Sequence, residues 1–202
     1  MSEIVVQKFG GTSVGTVDRI DSVAEIIKNA SKSNKIVVVV SAMGGETNRL
    51  VDLAKAFGDD PDKREFDALV STGETVSSAL LTMALHSKGV KAKSFSASQI
   101  SMRTTSSYSK AKILDVDAKK ILDVVENDTI PIITGFQGVT EGGDVTTLGR
   151  GGSDTTAVAI AAQISAIRCD IYTDVDGIFT TDPSVVPNAK KLDSITMEEM
   201  LE

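Results

Sequence analysis

The chain has 202 residues, a net charge of −7 and hydrophobic residues at 41% of its positions, which together indicate a globular protein with a core of its own. The negative charge argues against nucleic acid and anionic lipid as partners. The single cysteine excludes an internal disulfide, and the single histidine, His86, argues against histidine triads and histidine metal sites. The sequence shows no signal-peptide pattern and no apolar run of ~20 residues, so we predict a cytoplasmic protein without a membrane span.

The first strand is predicted from Glu3 to Phe9, and it ends in a glycine-rich turn that begins with Gly10 and Gly11. A helix with one apolar face follows. A strand, a glycine turn and a helix in this order are typical of a phosphate-binding unit, although the chain has neither a P-loop nor a G-x-G-x-x-G motif. Lys8 lies at the carboxyl end of the strand, where open α/β sheets place their ligands, so we interpret it as functional.

A second strand is predicted at 36–40, because this run is apolar at every position, as in a parallel sheet that is covered on both faces. The strand ends at Ser41 in a turn of small residues. Thr47 or Asn48 is predicted to cap the next helix, which runs to about Phe57.

Two further helices are predicted at roughly 63–71 and 75–87, with the segment Ser71-Thr72-Gly73-Glu74 between them. Glu74 has two interpretations. It is either a first-turn carboxylate that favours the helix dipole, or the anion that meets a substrate ammonium group.

The next part of the chain alternates again between strand and helix patterns. Strands are predicted at 90–95 and 113–116, and a helix is predicted at 117–127. The stretch 94–109 is rich in serine and threonine, which indicates a loop or a lid, and we assign no chemistry to it.

The segment between a buried strand at 129–135 and a buried helix at 157–164 is the strongest functional signal. It is predicted to be a loop with glycines at 142, 143, 149, 151 and 152. Ser153 or Asp154 is predicted to cap the helix, and a glycine-rich turn that enters a helix is typical of an anion site. Arg150 lies within this turn, and its planar fork suits a carboxylate or a phosphate.

A last buried strand is predicted at 169–173, and it leads into an aspartate-rich loop at 174–183. The spacing of the acidic residues is not that of an EF-hand. We interpret the loop as one that hydrogen-bonds a nucleotide, and an aspartate-rich turn stabilised by its own side chains is the alternative.

Strands alternate with helices throughout, so the sequence predicts a single α/β domain with a mainly parallel sheet covered on both faces. Strand ends at Lys8, Ser41, Gly135 and Thr173 are predicted to line one edge of that sheet. We detect no internal repeat and no interdomain linker.

Four segments are similar to signature segments of the aspartokinases, within the amino-acid kinase family. They are Lys8-Phe9-Gly10-Gly11-Thr12-Ser13, Ser71-Thr72-Gly73-Glu74, Thr147-Leu148-Gly149-Arg150-Gly151-Gly152-Ser153-Asp154 and the loop from Thr173 to Pro183. Two residues depart from the family pattern, since Phe179 stands where tyrosine is common and Ser184 where arginine is common. The resemblance implies a three-layer αβα sandwich with a mainly parallel central sheet, of the carbamate-kinase-like type. It also implies that 1–202 is a kinase catalytic domain.

The resemblance further implies an aspartate kinase that converts aspartate and ATP to 4-phospho-aspartate, on the route to lysine, threonine and methionine. The implied cofactors are ATP and Mg²⁺, with the metal held mainly through the phosphates and no protein residue assigned to it. A homo-oligomer is implied for the full-length protein. The acceptor carboxylate has a pKa near ~4 in water, so it is already ionised at neutral pH and needs no general base.

By the same resemblance, individual residues receive roles. Lys8 and Asp154 are the implied catalytic residues, with Asp154 holding Lys8 in place. The implied aspartate-binding residues are Thr47, Glu74, Arg150 and Ser153. The implied nucleotide-binding residues are Lys8, Gly10, Gly11, Ser41, Thr173, Asp174 and Phe179.

Two alternatives stay open. The first is another amino-acid kinase, acting on glutamate, N-acetylglutamate or a nucleotide monophosphate, and the second is a fragment that binds ligands without turnover. A capping box at 196–199 announces a helix that the chain ends before completing. The resemblance implies that a further catalytic segment and ACT regulatory domains follow in this family, so we expect a C-terminally incomplete kinase domain that lacks the ACT domains. This chain should turn over weakly or not at all, and lysine or threonine should not inhibit it.

Overall fold

The structure is a computed structural model that describes residues 3–174, 177, 179–181, 185–186 and 188–194. Residues up to Tyr172 form one compact unit, and a second unit begins at Thr173. Within the second unit, Phe179 and Lys191 form an antiparallel bridge, and the Thr180 N–H donates to the carbonyl of Lys190. The capping box predicted at 196–199 lies outside the described residues.

The first unit contains the helices and strands. The strands are β1 Ile4–Phe9, β2 Lys35–Val40, β3 Ala92–Phe95, β4 Arg103–Thr104, β5 Ile113–Asp115, β6 Ile130–Thr134, β7 Gln137–Val139, β8 Val145–Thr147 and β9 Arg168–Tyr172. The helices are α1 Val17–Ala30, α2 Glu46–Lys55, α3 Lys63–Val70, α4 Thr72–Ser87, α5 Ala118–Glu126 and α6 Gly152–Gln163.

The central sheet has five parallel strands in the order β3-β6-β2-β1-β9. The strands β1, β2 and β6 are almost entirely buried, since α1 and α4 pack on one face and α5 and α6 on the other. Apolar runs without alternation form such strands because both faces of each strand are covered. The structure therefore confirms the predicted three-layer α/β fold.

The last strand of the sheet is less buried than its sequence predicted. In the described structure β9 pairs with β1 alone, and Ile171 on this strand is 45% exposed. A strand at the edge of a sheet is covered less completely than a central one, and an apolar pattern by itself does not reveal which position a strand takes.

A second sheet of four strands, in the order β5-β4-β7-β8, corrects two predicted loops. The stretch 94–109 contains β4, and the glycine-rich segment before α6 contains the hairpin of β7 and β8. The hydroxyls of Thr104 in β4 and Thr146 in β8 are buried and lie 2.6 Å apart, within hydrogen-bond distance of each other. Strands of two or three residues are too short to show alternation, so composition alone did not predict them.

Two helices begin differently from the predictions. The residue before α2 is Gly45 and the residue before α6 is Gly151, both with left-handed backbones at φ 82° and 72° and without a side-chain cap. Thr47, Ser153 and Asp154 therefore lie inside the first turns and do not cap them. Glycine adopts this backbone without steric cost, which brings the chain into each helix at a sharp angle.

One helical stretch of the described residues, Lys63–Ser87, has the length and composition of a membrane-crossing helix. It consists of α3 and α4, and half of its most apolar window is buried inside the protein. A core helix passes the same test, so this is weak evidence for a membrane span.

Gly138 offers a direct test of the second sheet. A Cβ at this position would lie 2.1 Å from Cγ2 of Thr104, whose side chain is buried. We expect Gly138→Ala to lower the free energy of unfolding by about 1–3 kcal/mol, because overpacking displaces Thr104 from its partner hydroxyl. Urea denaturation measures the change. Gly142→Ala in the same hairpin is the matched control, since its Cβ would meet only Thr140 Oγ1, at 3.7 Å. Equal effects of the two substitutions would contradict the packing argument.

Candidate active site

The candidate site lies at the carboxyl ends of the parallel strands. The chain leaves β2 towards α4 on one face of the sheet and leaves β6 towards α6 on the other face. Loops that depart to opposite faces open a crevice at the sheet edge, which is where α/β proteins bind ligands. Backbone hydrogen bonds bring the strand ends together, because the N–H of Gly10 donates to Tyr172, that of Ser41 to Phe9, and that of Gly135 to Val40.

Lys8 is a buried lysine held by a carboxylate. Its side chain leaves β1 on the face that α6 covers, and Nζ lies 2.7 Å from Oδ1 of Asp154. Lys8 is 6% exposed, so it is not a solvated strand-end lysine, whereas the side chain of Asp154 is 45% exposed. A buried lysine that pairs with a carboxylate has few rotamers available, so Nζ of Lys8 is held at one position near the end of β1. The contact is the one that the resemblance implied, and the catalytic roles stay predictions.

Gly10 and Gly11 allow the first loop to pass close to its neighbours. A Cβ on Gly11 would lie 3.0 Å from the carbonyl oxygen of Ala42, and one on Gly10 would lie 3.3 Å from that of Tyr172. A side chain at either position would therefore push against backbone, which cannot move aside as a flexible side chain can. The first loop thus packs closely against the end of β9 and the loop after β2.

Glu74 is buried in the first turn of α4, with 3% of its surface exposed. Its Oε1 accepts a hydrogen bond of 3.1 Å from the N–H of Ala42, directly after Ser41. Gly73 allows this approach, because a Cβ there would lie 2.8 Å from that of Ala42. Oε2 is buried and has no hydrogen-bond partner in the described part of the chain. Burial raises the pKa of the Glu74 carboxyl to about 7, against the opposing effect of backbone hydrogen bonds.

This raised pKa predicts a pH dependence of stability. Below a pH of about 4.5 Glu74 is protonated in both states, and between about 4.5 and 7 the folded state binds more protons than the unfolded state. The stabilising contribution of the protonated group is therefore lost as the pH rises to about 7. Relative to the original protein, Glu74→Gln should gain about 3 kcal/mol across this window and then stay level. Urea unfolding of both proteins from pH 4 to pH 8 measures the difference. A pH-independent difference would contradict the burial argument.

Arg150 and Ser153 lie at the start of α6. Arg150 is exposed and stands between two glycines with left-handed backbones, Gly149 at φ 81° and Gly151 at φ 72°. None of the ion pairs among the described residues uses Arg150. Ser153 is buried against Gly135, at which a Cβ would lie 2.7 Å from the serine hydroxyl. The structure therefore places Arg150 in the loop before α6, and Ser153 in the first turn of α6 against the end of β6.

The predicted residues of the first unit do not all touch one another. Lys8 pairs with Asp154, Gly10 lies against Tyr172, and both Gly11 and Glu74 contact Ala42 in the loop after β2. Thr47 is half-buried in the first turn of α2. Among the described residues, no side-chain hydrogen bond or ion pair joins Thr47 or Arg150 to the other predicted residues.

Three predicted nucleotide-binding residues belong to the second unit. Thr173 and Asp174 are exposed, and the Thr173 hydroxyl donates to Oδ1 of Asp174 at 3.3 Å. Phe179 is half-buried. Half of the predicted nucleotide loop at 174–183 is described, since Val175, Asp176, Ile178 and 182–183 lie outside the described residues, as does Ser184.

Sequence reasoning missed two buried polar residues near the site. Asp67 is fully buried in α3, and Gln137 is buried in β7. The amide of Gln137 donates to the carbonyl of Ser71 at 2.9 Å. A signal for Asp67 was present, because it lies three residues before Val70 on the apolar side of a short helix. An acidic residue on an inward helix face needs partners elsewhere in the chain.

Comparison with known proteins identifies the family. The sequence profile of the amino acid kinase family matches residues 3–202. Over 200 residues the chain is 56% identical to the aspartate kinase of Pseudomonas putida, an alignment that covers 98% of this chain and 49% of that protein. The solved aspartate kinase from Synechocystis has a TM-score of 0.82 at 47% identity, over 98% of this chain and 33% of that one. The solved E. coli aspartokinase III, in complex with aspartate and ADP, has a TM-score of 0.85 at 32% identity, over 95% of this chain and 54% of that one.

The chain therefore belongs to the amino acid kinase family. The relatives just described are aspartate kinases, so the resemblance seen in the signature segments is confirmed. The chain spans about half the length of the curated relatives it matches, 49% in the case of the P. putida enzyme.

Proposed function

We propose that the chain forms the kinase domain of an aspartate kinase, which transfers the γ-phosphoryl group of ATP to the side-chain carboxylate of aspartate. The observation that carries the proposal is the buried Lys8, paired with Asp154 at the sheet edge and adjoining the segment that bears Arg150. Phosphoryl transfer depends on positioning and on neutralising charge rather than on a general base. A fixed cation beside a loop of bare main chain supplies both.

The residues of the crevice fit the nucleotide end of this reaction. Gly10 and Gly11 let the first loop pack closely against the carbonyls of Tyr172 and Ala42, and the main-chain N–H groups of this loop are proposed to meet the phosphate oxygens. The hydroxyl of Ser41 lies at the end of the neighbouring strand. Lys8 would neutralise charge on the transferring phosphoryl group. Mg²⁺ would be held mainly through the phosphates and would draw charge from the leaving oxygen. Thr173, Asp174 and Phe179 are proposed to contact the nucleotide.

Aspartate would be bound by its two fixed charges. Arg150 is exposed and unpaired among the described residues, so its fork is available to the α-carboxylate. Glu74 has a buried oxygen that lacks a partner, and an ammonium group would supply one. Thr47 and Ser153 would donate hydroxyls to carboxylate oxygens. These groups leave the side-chain carboxylate of aspartate free to meet the γ-phosphate.

The proposal is tested by offering ATP with each acceptor and trapping the product with hydroxylamine. Acyl phosphates give hydroxamates, so aspartate should give a coloured product, and glutamate and N-acetylglutamate should give little. Release of ADP with a nucleotide monophosphate but without hydroxamate would indicate a different member of the family. Calorimetric binding of both ATP and aspartate without any product would indicate that residues 1–202 are a binding fragment, the second alternative given above. The first result would contradict aspartate as the substrate. The second would contradict turnover by these residues and would leave the two proposed ligands in place.

A further inference from the structure

Asp67 has more hydrogen-bond donors around it than a cap or a surface carboxylate needs. It is 0% exposed, and both of its oxygens accept from the N–H of Ser109, at 3.0 and 2.8 Å. The hydroxyl of Ser109 donates to Oδ1 at 3.1 Å. Thr147 donates its N–H to Oδ2 at 2.7 Å and its hydroxyl to Oδ1 at 2.9 Å. A buried carboxylate is costly unless donors surround it, and here backbone and hydroxyl donors do so.

The position of Asp67 connects the two halves of the proposed aspartate site. Asp67 lies on α3, which continues through Ser71 into α4 and so to Glu74. Its partner Thr147 ends β8, three residues before Arg150. The hydrogen bonds of Asp67 therefore fix the helix that carries the proposed ammonium partner against the strand that leads to the proposed carboxylate partner.

A second buried contact joins the same two elements. Gln137 lies opposite Thr147 in the β7–β8 hairpin, and its amide donates to the carbonyl of Ser71, the residue between α3 and α4. Arg64 on α3 also bonds Asp144 in the turn of the hairpin, but this contact is on the surface. The buried contacts of Asp67 and Gln137 therefore hold the hairpin against α3 at two nearby points, Asp67 itself and Ser71 directly after the helix.

We propose that Asp67 is a positioning residue for aspartate, which acts by holding the Arg150 segment at a set distance from Glu74. This inference rests on the proposed function. The ammonium and the α-carboxylate of aspartate are attached to the same carbon, so their two partners must keep one fixed separation. A shift of about 1 Å in such a pair is enough to lose up to about a hundredfold in productive binding.

The test is calorimetric titration of the protein with aspartate and, separately, with Mg²⁺ and a non-hydrolysable ATP analogue. We expect Asp67→Ala to raise the Kd for aspartate about tenfold or more, because Ser109 and Thr147 lose their common acceptor. The Kd for the ATP analogue should stay within about twofold, since Lys8 and the loops after β1 and β2 do not contact Asp67.

The conservative variant distinguishes positioning from charge. In Asp67→Asn the amide oxygen can accept from both backbone N–H groups while the amide nitrogen donates to the two hydroxyls, which rotate to accept. We therefore expect the Kd for aspartate to stay within about threefold of the original. Asp144→Ala is the matched control on the hairpin, and it should change neither Kd. In an Arg150→Ala background, Asp67→Ala should add little, because the group that it positions is gone.

The outcomes separate the two proposals. If the original protein binds the ATP analogue but not aspartate, the proposed function is wrong and this inference falls with it. If the original protein binds aspartate and Asp67→Ala leaves that Kd unchanged, or weakens both ligands equally, only the inference is wrong. Should Asp67→Ala fail to fold, Thr147→Val removes one donor at nearly constant volume. It should weaken aspartate alone, and an unchanged Kd for aspartate would overturn the inference.

Discussion

Replacement of Lys8 by alanine should lower kcat by roughly 10²–10³-fold while MgATP still binds, because a fixed cation contributes most where charge develops in the transition state. The structure supports this expectation in two ways. Lys8 is buried, and its ion pair with Asp154 holds the ammonium in one place, so no reorganisation is needed during the reaction. Steady-state kinetics with ATP and aspartate, together with calorimetric binding of MgATP, measure the two effects separately.

Two further variants test whether the effect is specific to this lysine. Asp154→Asn keeps the charge of Lys8 but removes its ionic partner, so we expect a smaller loss of kcat than in Lys8→Ala. Lys35 begins β2 and is in register with Ile4 at the start of β1. It therefore lies at the amino ends of the strands, opposite the carboxyl ends where Lys8 is found. Lys35→Ala should leave kcat unchanged. If Lys8→Ala also left kcat intact, Lys8 would be a structural lysine and the catalytic assignment would fail.

The central sheet was predictable from sequence because its strands are apolar on both faces. Each run begins with several apolar core positions, and buried polar residues appear only towards the carboxyl ends, at Gln7 and Lys8 of β1 and at Thr134 of β6. This pattern requires cover on two sides, which only a layered α/β arrangement supplies. The candidate site followed from the same logic, since parallel strands bring their carboxyl ends to one edge.

The sequence predicted only β5 of the second sheet, as a strand at 113–116. The strands β4, β7 and β8 have two or three residues each, so periodicity gave no signal for them. The contacts that hold this sheet together join residues that are distant in the chain. They are the buried hydroxyl pair of Thr104 and Thr146 and the close approach of Gly138 to Thr104. The same limit applies to the site. Lys8 and Asp154 are far apart in the chain, and no local pattern indicates that they form an ion pair. Asp67 was overlooked because its partners Ser109 and Thr147 lie 42 and 80 residues away in the chain.

Arg150 is the residue for which the structure predicts a selective loss of aspartate affinity. Arg150→Ala should raise the KM for aspartate by one to two decades, since charge-assisted hydrogen bonds contribute roughly 1.5–3 kcal/mol. The KM for MgATP should change little. Folding stability should also be unaffected, because Arg150 is exposed and no described carboxylate pairs with it in the free protein.

The lysine variant separates the shape of the guanidinium from its charge. Arg150→Lys keeps the positive charge but cannot make two parallel hydrogen bonds to a carboxylate, so it should not restore the KM for aspartate. Arg103 is the matched control, because it is an exposed arginine of the second sheet that pairs with Asp115. Arg103→Ala should leave both KM values unchanged. An unaltered KM for aspartate in Arg150→Ala would show that another group binds the α-carboxylate, and recovery in Arg150→Lys would show that charge alone is sufficient.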